Sequence, residues 1–300
     1  NDPVIQSSTQ AYAKSVFVNL NAEVTIQADG ALDIDGASTD GLINKGTVTN
    51  FGTITISNIS GLGIENQGSF INHIGGLVDI DGVVRGIVSS VLDSHFTNNG
   101  EIEIDASASH PIANEGTFIN GGTITVGADV PTTNSPIDNR NFFDNQQGAI
   151  LDINGIIYTT GLSYGISNHG YFTNAGDIVG KNEILNTDTF FNQATGTIFI
   201  SGGYNGMTNL GGVFTNYGSI EMEDFLISGL DNISGVVTNE TGGFMHFRNG
   251  GVNSIGVQAR SNPDTVYNHG TMRIDSVGVH FLKINFGNFI NTGNLLLEDT

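Results

Sequence analysis

The chain has 300 residues, no cysteine, and 30 Asp and Glu against 9 Lys and Arg, a net charge of −21. That charge repels phosphate backbones and argues against a nucleic-acid partner, and the missing thiols remove disulfides, thiol chemistry and Cys-ligated metals. No run of 18 apolar residues occurs, so no segment reads as a membrane-spanning helix.

Gly accounts for 42 of 300 residues, about twice the usual share, which signals many tight turns. Pro numbers only 5, against a disordered linker. The chain begins Asn1-Asp2-Pro3 without Met, so a processed chain or an excised fragment is expected. Residues 1–18 depart from the pattern that follows and read as a cap or docking segment. Residues 19–300 read as one repeat domain.

Within that domain a single pattern recurs, G-I-x-N-x-G-x-F-x-N-x-G-x-I-x-I. It is clearest from Gly41 to Ile56, Gly63 to Ile80 and Pro111 to Val126. In chain order its second Asn falls at Asn50, Asn72, Asn98, Asn120, Asn145, Asn174, Asn192, Asn216, Asn239, Asn268 and Asn291. Ala28 is expected to hold the place in the first coil. Two residues earlier stands Phe70, Phe96, Phe118, Phe143, Phe172, Phe190, Phe214 or Phe289, with Val in the remaining coils. A preceding Asn recurs from Asn44 and Asn66 through Asn232 to Asn285. After the second Asn comes an apolar pair such as Ile54/Ile56 or Leu295/Leu297, and the last apolar positions lie 20 to 27 residues apart. Some coils carry two extra residues at one turn, as in Asn72-His73-Ile74-Gly75-Gly76.

Alternating apolar residues over short stretches make strands with one buried face, and the intervening Gly and Asn make turns, because both tolerate left-handed backbone. One coil cannot bury its own apolar stripe, whereas stacked coils place Phe on Phe and Ile on Ile. Side-chain amides both donate and accept, so a stacked Asn column can bond coil to coil and hold the turns. The expected fold is therefore all-β, a single-stranded parallel β-helix (β-solenoid) of about twelve coils of about 24 residues, roughly 55–60 Å long.

The G-x-F-x-N-x-G-x-I-x-I run resembles bacterial extracellular proteins of the right-handed parallel β-helix type, filamentous haemagglutinin-like adhesins and autotransporter passengers. The resemblance covers about residues 19–300. It implies right-handed coils, export to the cell surface or medium, and a role as stalk, adhesin segment or self-assembling filament subunit. Polysaccharide lyases and hydrolases share the architecture, so a carbohydrate-binding or carbohydrate-cleaving β-helix stands as the alternative. Self-association head to tail or continuation in a longer fibre is expected, since no amphipathic capping segment follows Leu297.

The search for chemistry gives no catalytic assignment. Outward residues beside the Ile pairs include Asp33, Asp79, Glu101, Glu103, Asp152 and Glu221, and Asp79 should neighbour Glu103. Separated acids could act as a glycosidase pair, with a solvated acidic face as the simpler reading. A repeated D-I-D-G turn places Asp33 with Asp35 and Asp79 with Asp81, and Asp105, Asn154 and Asp275 hold the equivalent turn position. Turn chemistry explains these residues, with weak calcium binding as the alternative. Arg85, Arg140, Arg248, Arg260 and Arg273 share no motif, and no His spacing suits zinc. Thr pairs such as Thr123/Thr125 are too irregular for an ice-binding array; the Ala128 to Asn141 loop is the expected place for recognition, and the aromatics Phe199, Tyr204 and Phe225, expected at the surface, serve self-association or stacking on a surface glycan, with scattered surface aromatics as the plainer reading.

Overall fold

A computed structural model describes residues 3–105, 107–127, 135–153 and 164–298. Every strand pairing among the described residues is parallel, and the strands follow one another in cyclic order through three sheets. The chain divides into two compact units, Asn1–Gly161 and Leu162–Thr300, each built on this plan. The first unit has seven, seven and six described strands in its three sheets, and the second has six in each. The two units together hold about twelve coils of about 24 residues, as the repeat length requires.

The first sheet carries the Phe-x-Asn strands, the second the Ile pairs, and the third the strands that end in the earlier Asn. Register is strict in both units. Phe70 pairs with Phe96, Phe96 with Phe118, and Phe118 with Phe143; in the second unit Phe172 pairs with Phe190 and Phe190 with Phe214. The rings stack nearly parallel, with centroids 4.5, 4.7 and 4.9 Å apart from Phe70 to Phe143, and all of these Phe are fully buried. Offset stacking at one rung's spacing is what in-register parallel strands impose on identical rings. Val237 and Val266 carry the column onward to Phe289, which is only half-buried. The second sheet contributes a column through Ile54, Val78, Ile102 and Ile124, and the third a column through Leu42, Ile64, Ile87, Ile112 and Ile137.

The turn from first to second sheet shows why glycine recurs there. A Cβ at Gly100 would collide with the carbonyl of Gly76 in the coil before, and one at Gly122 with the carbonyl of Gly100. The next turn, from second to third sheet, needs left-handed backbone. Its column runs Gly36, Asn58, Gly82 in the first unit and Asn182, Gly202, Asp224, Asn249 in the second, all at positive φ. Gly, Asn and Asp are the residues that adopt this conformation at least cost.

Two register expectations change. Ile26, not Ala28, pairs with Asn50. The first coil has the longer turn, with Asp29 left-handed, so counting back from Leu32 as in a short coil overshoots by two residues. Asn285 is one residue out of its column, where Ile284 pairs with Ala259. Within the segment read as a cap or docking segment, Val4–Ile5, Gln10–Ala13 and Val16–Val18 each supply one strand in register to the coil that follows. Of the Ala128 to Asn141 loop, residues 128–134 lie outside the described residues, while Ile137–Asn139 is an ordinary strand of the third sheet.

Truncating Phe118 opens a void between two stacked rings. Phe118→Ala is expected to destabilise the chain by about 3–5 kcal/mol in a denaturant titration, whereas Thr125→Ala, on the outward face, changes stability by less than about 0.5 kcal/mol.

Candidate functional site

The most ordered side-chain array is the buried amide ladder. Asn50, Asn72, Asn98 and Asn120 are fully buried, and each donates from Nδ2 to Oδ1 of the Asn one coil on, at 2.8–2.9 Å. The same Nδ2 donates to a backbone carbonyl of that next coil, for example Asn50 to Leu77 and Asn98 to Thr123. Oδ1 of Asn50 and Asn120 accepts from the N–H two residues on, at Gly52 and Gly122. The series continues through Asn145, and in the second unit from Asn174 through Asn192, Asn216, Asn239 and Asn268 to Asn291, whose side chain is exposed.

A second ladder lies at the end of the third sheet. Asn44 bonds Asn66, Asn114 bonds Asn139, and Asn168, Asn186, Asn209 and Asn232 follow one another. Ser89 and Ala259 interrupt it. Asn232 is the acceptor of an Asn-x-Ser motif, yet it is fully buried and donates to Gly235 and Thr265 carbonyls, so its amide serves the ladder.

On the second sheet of the first unit, Asp79 and Glu103 are register neighbours as expected. Burial first, then Asp105 and Asp81, raise the Asp79 carboxyl above its ordinary range. Burial, then Glu101, Asp79 and Asp105, do the same for Glu103. Asp33 accepts from Gln10 Nε2 at 2.6 Å. Asp35 accepts from Asn58 Nδ2 and Ser57 Oγ, both at 2.8 Å, and these bonds lower its pKa. Asp35 and Asp81 precede the left-handed Gly36 and Gly82, so both D-I-D-G runs sit at the turn column. Among the described residues no three His, Asp or Glu converge on one point for a metal. Asn154 lies outside the described residues.

The second sheet of the second unit gathers residues that looked scattered. His246 Nε2 lies 2.9 Å from Asp275 Oδ2, and its Nδ1 lies 3.6 Å from Glu221. Arg248 bridges Glu221 and Glu223 at 2.6 and 2.8 Å, and Arg273 bridges Asp275 and Glu298 at 3.0 and 2.8 Å. Glu221, His246 and Arg273 are successive members of one outward column, and with Glu298 on the next coil four coils build one charge network. Charged groups this well paired are a surface-stabilising lattice, each exposed pair worth about 0–1 kcal/mol.

The third sheet of the second unit buries further polar groups. Arg260 holds Asp231 through both carboxylate oxygens, at 2.8 and 2.6 Å. Glu183 is 3% exposed and accepts from Asn205 Nδ2 at 3.1 Å, and burial raises its pKa against those bonds. Of the aromatics expected at the surface, Tyr204 is exposed and Phe199 half-buried, but Phe225 is fully buried. It follows the turn residue Asp224, whose left-handed φ directs the chain back toward the interior.

No family model matches the chain, and no curated protein does. Among solved structures it is similar to a TibA fragment described as TibC-catalysed and hyper-glycosylated. The identity is 14%, over 97% of this chain and 100% of that chain, with a TM-score of 0.30. At that level neither chain's function carries to the other.

Glu183 makes a pH prediction. Its folded pKa lies above the unfolded value of about 4.3, so the protonated form binds the fold better. Its stabilising contribution is complete below the unfolded pKa and is lost as pH rises through the folded pKa. Glu183→Gln should therefore lose less stability than wild type when denaturant titrations are moved from about pH 4 to about pH 8. Equal losses would contradict the assignment.

Proposed function

We propose that this chain is an exported structural and adhesive β-solenoid, a stalk, adhesin segment or filament subunit whose role is to hold a repetitive surface in register, and that it is not an enzyme. One observation carries the reading: the buried columns are nearly invariant from coil to coil, whereas the outward columns vary freely. The Phe118 column is Phe or Val throughout, while the outward column beside the Ile pairs runs Asp33, Thr55, Asp79, Glu103, Thr125 in one unit and Phe199, Glu221, His246, Arg273 in the other. The interior repeats from coil to coil for stacking, and the exterior is free to carry contacts.

The net charge of −21 supports a solubilised surface facing the medium, and a chain without cysteine needs no redox compartment to fold. Acidic turns such as Asp79 and Asp81 leave calcium as a modulator of assembly rather than a cofactor of catalysis.

The test is incubation of the purified chain with a panel of neutral and acidic polysaccharides, followed by co-sedimentation and assay of released reducing ends or unsaturated products. Retention on at least one polysaccharide or self-sedimentation as filaments is expected, with no product released; a calcium-dependent shift would assign the acidic turns to assembly. Steady release of cleaved product would overturn the reading in favour of a carbohydrate-cleaving β-helix.

A further inference from the structure

Turn length shapes the surface between the first and second sheets. The coil at Asn72 has the longer turn, whose tip, Ile74, is 85% exposed and is followed by left-handed Gly75. The next two coils turn short, at Asn98–Glu101 and Asn120–Thr123. The coil after them turns long again through left-handed Gly148. The two short turns beside the long turn of the Asn72 coil leave a trough of about 340 Å³, walled by Gly75, Gly76 and Leu77 and lined by Asn99, Glu101 and Thr123.

The trough collects unspent hydrogen-bonding groups. Among the described residues, none bonds the side chains of Asn99, Glu101 or Thr123. An amide, a carboxylate and a hydroxyl therefore face one volume beside the apolar wall of Leu77. That set suits a pyranose ring. A carboxylate accepts from two vicinal hydroxyls and a side-chain amide donates to one and accepts from another, while the C–H face of the ring packs on methyl groups. Its volume lies at the low end of small-molecule sites, about 300–1,000 Å³, enough for one sugar unit rather than a long buried segment.

Charge narrows the class. The lining contains Glu101 and no Lys or Arg, and Glu103 lies on the same strand. Uronates, sulfated sugars and phosphates would be repelled. A hard cation would find a single carboxylate there, short of the six to eight oxygens calcium takes.

We propose that this trough is a subsite for one uncharged pyranose unit of a glycan. The proposal rests on the adhesive part of the functional reading and gives it a place and a ligand class. Saturation-transfer difference NMR on the full chain tests it, with oligosaccharides of glucose, galactose, mannose and N-acetylglucosamine as probes and an oligogalacturonate as the anionic comparison. At least one neutral probe should bind more tightly than the oligogalacturonate, and Glu101→Ala should weaken it about tenfold or more.

A second variant separates the site from the fold. Two residues inserted between Asn99 and Gly100 convert a short turn into the long form the chain already uses at Asn72, filling the trough without altering register. Binding should be lost, whereas the same insertion after Tyr217, at a short turn of the second unit, should leave it intact. Failure of every neutral probe to bind, preference for the oligogalacturonate, or binding that survives the insertion at Asn99 would overturn the proposal. Glycan binding that only the insertion at Tyr217 abolishes would sink this site while leaving the adhesive reading standing.

Discussion

The structure depends on a buried side-chain amide that must be satisfied by its neighbours above and below. Asn120 shows the full arrangement. It accepts from Asn98 Nδ2 and from the Gly122 amide, and it donates to Asn145 Oδ1 and to the Ile150 carbonyl. No water reaches it, so each lost partner leaves a desolvated polar group. The amide thus ties three consecutive coils and one turn into a single geometry. A one-residue slip would carry every ladder Asn out of its column and every core Phe to the outer face, so the ladder sets register as well as supplying energy.

Fixed register has a functional consequence. Once stacking is secured inside, outward residues and turn lengths are released to vary. The variation is not random in effect. It places carboxylates side by side on one face of the first unit, assembles an alternating network around His246 in the second, and lets pairs of short turns form a trough beside a longer one. None of these features disturbs the buried columns, which is how a repeat fold separates the requirement to be stable from the requirement to be specific.

The interior was legible in the sequence because its period is strict and its residues are few. Phe118, Asn120 and Ile124 stand at fixed offsets, and similar residues return coil after coil. Reading failed where the offset changed. Ala28 was placed by the spacing of a short coil, but the two-residue insertion ending at left-handed Asp29 moved Ile26 into the column. Asn285 matched by residue type and missed by one position. Phe225, expected at the surface, is buried, because the left-handed turn residue Asp224 before it sends the chain inward. The His246 network and the trough were illegible for a different reason. Their members lie a full coil apart in sequence, and what joins them is the stack rather than any motif.

Native-state hydrogen exchange on Asn120→Leu tests the central claim most directly. Leucine keeps the size and burial of the side chain and removes all of its hydrogen bonds. The account predicts that the amide of Gly122 exchanges at least about tenfold faster, and that global stability falls by about 1–3 kcal/mol, while the Phe70 to Phe143 column stays protected. Unchanged protection at Gly122 and unchanged stability would show that the apolar columns alone hold the coils in register, and would contradict the account.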